Sequence, residues 1–580
     1  MPRHPLAARV ALRKLPLGLP DVALFLVTVF ALYGIGHVGK DAFVAFNPPR
    51  QLPQVNLDPT YIPYYMVRST LRMFVAMGLS LLFTFGYGYA AAHNRRAERV
   101  LIPLLDILQS VPVLGFLSIT VTGFIALFKG SLLGLEAASI FAIFTSQAWN
   151  MAFSFYQSVK TVPRDLDEAS RLYRLTPWQR FIKVEVPFSM VGLVWNAMMS
   201  FGGGWFFVAA SEAISVMNQN YTLPGIGSYL TLAIQAHDIK GLLWAMAGMS
   251  IMVIAVNFFV WQPLVVWADR FKFEQSAAAV TAHSVVLDWC RKARFPSLCR
   301  QGLRKLAEFK PASNRRETES VNYGPKRVVV AEQDVHKDVW FNGLMVLIVV
   351  ALTGSGLKFV VGSLGVPEVI KALGLGLITM ARVVFLVAAA TLVWVPVGVS
   401  IGFNPPVCRK LQPVVQFLAA FPANFIFPLV TIALIHFHIS LNWGGILLMA
   451  MGSQWYVLFN VIAGAQSVPS ELREMAANMG LKGWALWKQL ILPGVFPAWV
   501  TGGITAAGGA WNASIVAEVV TWGNTTLRAT GLGAYIAQAT SAGDTPRIVL
   551  GVGLMSLLVV GGNRLFWRRL YHLAETKYAL

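Results

Sequence analysis

Four charged side chains stand inside stretches that are otherwise apolar: Arg72, Glu212, Arg382 and Glu518. They form two matched sets, since Arg382 follows Arg72 by 310 residues and Glu518 follows Glu212 by 306. Ionisable groups in an apolar medium are expensive and are kept where they face a protein interior or a wet cavity. They either pair with one another and fix helices, or meet a polar solute. The residue types alone leave both open. Trp205 and Trp511 lie seven residues before the glutamates, on the same helical face two turns away. Phe206 and Asn512 are neighbours of these tryptophans at matched positions, so any polar recognition there is expected to be lopsided. Together these residues are the candidate lining of a path through the apolar region.

A second set lies in polar loops. Asp165, Glu168, Ala169 and Leu175 follow Val162-Pro163; Glu471, Glu474, Ala476 and Gly480 follow Val468-Pro469. Proline suits the first turn of a helix, and carboxylates just behind it favour the positive helix end. Glu168 and Glu474 would cap these helices or bind a partner. His436 and His438 face apart if helical, so no metal site is expected. No catalytic constellation is found. No G-x-x-x-x-G-K-[ST] phosphate loop occurs, so ATP chemistry is not expected of this chain.

The surrounding composition says what must hold these residues. The chain has 580 residues, 56% hydrophobic and 13% charged. An ordinary soluble domain carries about 25% charged residues. Runs such as 69–92, 242–267, 383–403 and 548–566 reach the length of about 20 residues that spans a bilayer. The net charge of +20 does not point to nucleic acid, because Lys and Arg cluster at the edges of the apolar runs. Cys290, Cys299 and Cys408 read as free thiols. The basic N-terminus leads into an apolar run with no A-x-A-like site, which reads as a retained first helix.

Self-similarity is the strongest signal. Val162-Pro163, Glu168, Trp178, Pro187, Trp205, Glu212, Gly225, Gly227, Tyr229 and Asp238 recur 306 residues later. Arg72, Gly88, Asn94, Pro103 and Pro112 recur 310 residues later. The pattern predicts two homologous halves of about six spanning helices, related by a pseudo-twofold axis along the membrane normal. In the first half they fall near 22–39, 63–92, 101–128, 135–157, 190–212 and 241–268. In the second they fall near 339–361, 370–403, 411–437, 443–465, 494–518 and 547–567. The domains are 1–271, a basic cytoplasmic linker over 272–337, and 338–580. Leu287–Phe309 fits either an amphipathic surface helix or a solvated tether. Lys and Arg placement puts both termini in the cytoplasm.

The loop after the fourth helix of each half reads as a short helical hairpin. The second copy runs Glu471-Leu472-Arg473-Glu474-Met475-Ala476-Ala477-Asn478-Met479-Gly480 and ends at Ile491-Leu492-Pro493. This resembles the EAA loop of binding-protein-dependent ABC importer permeases. Trp511, Ala517-Glu518 and Gly531-Leu532-Gly533-Ala534-Tyr535 resemble the nitrate, sulfonate, bicarbonate and taurine branch in particular. The resemblance implies an all-α polytopic protein with the type I ABC importer (MetI-like) fold, two permease domains fused in tandem. It implies that Asp165, Glu168, Ala169, Leu175, Glu471, Glu474, Ala476 and Gly480 belong to ATPase-coupling loops. The implied partners are two ABC ATPase subunits, which bind the ATP and Mg, and a periplasmic or lipid-anchored substrate-binding protein. The implied location is the bacterial inner (plasma) membrane. A small anion such as nitrate, sulfonate, taurine or bicarbonate is the implied substrate, with amines and thiamine-precursor-like molecules left open. The family's glycine is Arg174 in the first copy and its middle alanine is Met475 in the second, so unequal coupling is expected. The alternatives are a secondary transporter with two six-helix halves, and a channel or scaffold subunit. The paired EAA-like loops favour the importer.

Overall fold

The computed structural model describes residues 55–110, 113–129, 131–216, 219–271, 286–288 and 335–577. The expected helix at 22–39 and, apart from 286–288 and 335–337, the linker with Cys290 and Cys299 lie outside them. The described residues between 55 and 271 and those from 348 to 577 fall in one compact unit, and 286–288 with 335–347 fall in a second. The latter are helical. The former holds both repeats.

The first repeat runs α1 (Ile62–His93), α2 (Arg95–Ser110), α3 (Val113–Leu127), α4 (Leu133–Lys160), α5 (Arg164–Leu172), α6 (Pro177–Arg180) and α7 (Val186–Glu212). A hairpin of β1 (Ala213–Val216) and β2 (Gln219–Thr222) follows, then α8 (Ile226–Gln235), α9 (Ile239–Val256) and α10 (Gln262–Ala268). The helix α11 (Val335–Leu364) leads into the second repeat: α12 (Val366–Gly402), α13 (Pro405–Ala420), α14 (Phe427–His436), α15 (Leu441–Ser467), α16 (Ser470–Asn478), α17 (Gly483–Leu486) and α18 (Leu492–Ala517). Its hairpin is β3 (Val519–Trp522) and β4 (Thr525–Arg528), followed by α19 (Leu532–Ala542), α20 (Thr545–Gly562) and α21 (Arg568–Lys577).

Among the described residues, seven helical stretches are long and apolar enough to cross a membrane. Leu82, Ile251, Val384 and Leu392 stand exposed on them, as lipid-facing side chains do. In each repeat one helix packs against two others at the centre: α4 against α1 and α7, and α15 against α12 and α18. The halves also share a core, which includes Leu114 and Leu117 of the first and Leu386, Trp511 and Ile536 of the second. The seam is closed by α13 on α7 and by α20 on α2 and α3.

Many matched residues mark boundaries. Asn94 Oδ1 accepts from Arg96 N (2.9 Å) and starts α2, and Asn404 does the same for α13. Asp238 caps α9 and Asp544 caps α20. A π turn precedes α7 (Phe181–Glu185) and its mate precedes α18 (Trp487–Ile491).

Two features differ from the twelve simple spans expected. The third span of the second half is broken. In the second half α13 ends at Phe421, whose extended backbone (ψ 124°) is the conformation imposed on a residue before proline, here Pro422. Each fifth helix ends where expected, at Glu212 and Ala517, but does not pass directly to the sixth. A two-stranded hairpin and a short return helix intervene before the sixth, with Ala213 opposite Thr222 and Val519 opposite Arg528.

Candidate functional site

The hairpins α5–α6 and α16–α17 close in the same way. Leu175 N donates to Ser170 O and Leu481 N to Ala476 O, both at 3.0 Å, the six-to-one bond of a Schellman motif. The motif needs one left-handed residue. Gly480 supplies it at φ 68°, and Arg174 supplies it at φ 51° despite its side chain. Ser170 and Ala476 turn inward and are buried. Asp165, Glu168, Glu471 and Glu474 are exposed, with Ala169 and Leu175 half-buried between them. Neither Glu168 nor Glu474 makes a hydrogen bond or ion pair among the described residues. The crests are apolar and open to solvent: Tyr173 is 78% exposed, Trp178 68%, Met479 68% and Trp484 71%.

At the other end of α7 and α18 the four charged candidates are enclosed. Arg72 Nη1 lies 2.6 Å from Glu212 Oε1, and its Nε and Nη2 grip Glu136 at 2.5 and 2.7 Å. Arg68 closes the group by pairing with Glu136. In the second half Arg382 Nη1 meets Glu518 Oε1 at 2.9 Å and its Nη2 meets Asn442 Oδ1 at 2.9 Å. The two sets correspond position by position. Ser69 hydroxyl donates to Glu212 and Thr379 hydroxyl to Glu518. The same hydroxyls accept from Ile226 N and Leu532 N at the starts of α8 and α19. Arg68 and Glu136 are replaced at the matched positions by Ile378 and Asn442, so one positive and one negative charge vanish together.

Each glutamate is also a joint in the chain path. Glu212 O accepts from Leu223 N where the hairpin returns, and Glu518 O accepts from Ala529 N, both at 2.8 Å. Their carboxylates accept from Gly227 N (2.8 Å) and Ala534 N (3.0 Å), satisfying first-turn donors and placing negative charge at the positive helix end. Close approach explains the repeated glycines. A Cβ on Gly225 would lie 2.2 Å from the Glu212 carboxyl carbon, and one on Gly227 would lie 2.4 Å from Ala209 O.

Beside these joints lies a cavity of about 380 Å³ lined by both halves at matched positions. Leu117 and Phe427, Ala210 and Val516, Ala213 and Val519, and Thr231 and Ala537 are matched pairs that line it together. Its polar groups are neutral. Asn424 Oδ1 and Thr540 Oγ1 are buried there without partners. None of the charged candidates lines it. Phe206 and Asn512 stitch the seam next to it. Asn424 Nδ2 donates to Phe206 O across the halves, and Val113 N donates to Asn512 Oδ1, both at 3.1 Å. Trp205 is buried against Phe201, and Trp511 is buried in the shared core.

The family model for the binding-protein-dependent transport system inner membrane component matches residues 83–261 and again 394–569. The chain belongs to this family. It is a multi-pass membrane permease with two copies of the domain in tandem. A putative ABC transporter permease of Methanocaldococcus jannaschii is 29% identical over 32% of this chain and 68% of its own length. The bicarbonate transport permease CmpB of Synechococcus elongatus is 27% identical over 34% of this chain and 65% of its own. The taurine transport permease TauC of Escherichia coli is 27% identical over 33% and 67%. Each match thus spans about two thirds of the relative and one third of this permease.

Glu136, Arg68, Asn442 and Asn424 were not singled out from the sequence. Arg68, Glu136 and Asn442 carry no identity match between the repeats, so the repeat does not mark them. An arginine four residues before Arg72, and a carboxylate starting an apolar helix, were the available cues.

Proposed function

We propose that this permease is the whole transmembrane unit of an ATP-driven importer. Each hairpin receives one separate ATPase subunit, and solute crosses along the pseudo-twofold relation through the cavity between the halves. The observation that carries the reading is the pair of hairpins with exposed aromatic or thioether crests and unpaired carboxylates. Exposed apolar clusters ringed by polar groups mark protein interfaces. ATP and Mg belong to the partners, and a substrate-binding protein delivers the solute on the outer side. The named functions of the relatives support a small anion such as bicarbonate, nitrate, taurine or another sulfonate. Basic residues beside the hairpins support the inner membrane with hairpins and termini in the cytoplasm.

Charge reversal tests the hairpins. Glu168→Lys and Glu474→Lys should insert normally, retain less ATPase on co-purification and lose ATP-driven uptake. The expected cost is about 1.5–3 kcal/mol per lost charged hydrogen bond. Glu474→Lys should be the worse. Full uptake and full ATPase retention in both variants would defeat the assignment. One chain per two ATPase subunits is the expected mass of the complex; two chains per two ATPases would contradict it.

A further inference from the structure

The two hairpins are fastened to the membrane helices by different chemistry at the same four positions. In the first half the fastening is ionic. On α5, Asp167 Oδ1 lies 2.6 Å from Arg180 Nη1 of α6, an ion pair without hydrogen-bond alignment. Arg180 Nε then donates to Glu185 Oε1 in the π turn at 2.9 Å. Glu185 is 1% exposed, and the same oxygen lies 3.0 Å from Nε2 of His93, the last residue of α1. His93 Nδ1 lies 3.0 Å from Tyr89 O on its own helix. Each ring nitrogen therefore faces an acceptor, and both contacts become hydrogen bonds together only when both nitrogens carry a proton.

In the second half the matched residues are Arg473, Leu486, Ile491 and Phe403. Phe403, Leu486 and Ile491 pack in one apolar cluster with Val399 and Val495. The Arg473 guanidinium lies 5.3 Å from the centre of the Phe403 ring. Positive charge on α16 thus meets an aromatic face at the end of α12, where negative charge on α5 meets a chain of ions leading to the end of α1.

We infer that Arg180 and Glu185 are positioning residues for the first coupling hairpin only, linking it to α1 and α7 through His93, while an apolar and cation–π joint links the second to α12 and α18. The inference rests on the hairpins being the ATPase-docking elements. A buried carboxylate stripped of its cation is left uncompensated, whereas removal of the whole ionic set with apolar replacement is tolerated. Single and collective replacements therefore separate.

The test uses the full chain in complex with its ATPase subunits, with and without Mg-ATP. Spin labels go at residues 95 and 164 in the first half and at the matched 405 and 470 in the second, and pulsed electron resonance reads each distance distribution. Arg180→Leu and Glu185→Ile should each broaden the first distribution and leave the second unchanged. Arg180→Lys should keep the first narrower than Arg180→Leu does. The transplant His93→Phe, Asp167→Arg, Arg180→Leu and Glu185→Ile together should restore the narrow distribution. Unchanged widths in both single variants would overturn the inference. Should the single variants fail to fold, the transplant decides: a folded complex with a broad first distribution overturns the inference, and a narrow one supports it. Failure of the ATPases to co-purify with the wild-type chain would sink the docking reading instead, which separates the two claims.

Discussion

At the residue scale, Arg174 carries a cost that Gly480 does not. A left-handed conformation strains a residue with a Cβ by about 1–2 kcal/mol, partly offset by the greater unfolded freedom of glycine. Arg174→Gly is expected to raise stability by about 0.5–1 kcal/mol, seen as a higher Tm of the detergent-solubilised chain; Gly480→Arg should lower it similarly. A fall in Tm for Arg174→Gly would mean that the arginine side chain does something more valuable than the backbone strain costs. Glycine at the end of a helical pattern reads as a stop, and Gly480 takes the left-handed conformation such a stop uses. Arg174 was legible only by alignment to its mate, since no local rule asks for arginine there.

Glu98 supplies a pH dependence. Hydrogen bonds from Lys160 and Tyr156 hold its carboxyl below the usual range, against a smaller desolvation effect. The folded value is thus lower than the unfolded one. Its stabilisation is present above the ordinary carboxylate range, near pH 4, and is lost as pH falls through the lower folded value. The group is half-buried and its partner Lys160 is exposed, so solvent screening should keep the effect below about 1 kcal/mol. The Tm gap between wild type and Glu98→Gln should close on acidification below about pH 4; a gap that widens there would contradict the assignment.

At the element scale, the buried charge sets show how a helix end can be joined to a hairpin and a return helix. Glu136→Asn alone leaves Arg68 in an apolar site without its carboxylate, at a cost of about 3–5 kcal/mol. Arg68→Ile with Glu136→Asn reproduces the second half, and should return most of that loss. Thermal unfolding of the two single variants and the double variant gives the coupling directly. Additive losses would show that the second half is not a fair template for the first. The ion pairs were foreseen as one of two readings of Arg72, Glu212, Arg382 and Glu518. The pairing geometry was not, because it depends on side chains brought together from α1, α4 and α7. The β3–β4 hairpin had a local signal: Val519–Trp522 and Thr525–Arg528 flank Gly523-Asn524, with Gly523 at φ 54°. Strand formers around a glycine turn predict a hairpin, but here the strand is short and runs straight on from a spanning helix. Hydropathy ends the fifth span at 518 and starts the sixth at 547, and assigns no element to the stretch between. The broken third span is a different case, since apolar character continues across Pro422 while the backbone does not.

At the scale of the whole molecule, the repeat was legible because the matched residues are those with little freedom to change: caps, glycines at close contacts and buried charges. What the repeat did not foretell is where the halves differ, and the cavity between them depends on that. At two matched positions its walls set a smaller residue of the first half beside a larger one of the second, Ala210 with Val516 and Ala213 with Val519, while Thr231 with Ala537 reverses the order. No charged side chain lines it, so a solute passing there would meet neutral amide and hydroxyl groups and apolar walls. On the proposed reading, a small anion passing there would not be held by an opposing charge, and selectivity would fall to whatever delivers it. Blocking the cavity should therefore stop transport without touching the hairpins. Ala210→Trp and Val516→Trp put a large ring at matched positions on α7 and α18, about as far from α5 and α16 as the membrane allows. Both variants are expected to keep their ATPase subunits on co-purification while ATP-driven uptake falls to background. The first variant should be the more severe, since it replaces the smaller residue. Uptake at wild-type rate in both, with the rings confirmed in place, would move the path away from the cavity and leave it a packing defect at the seam.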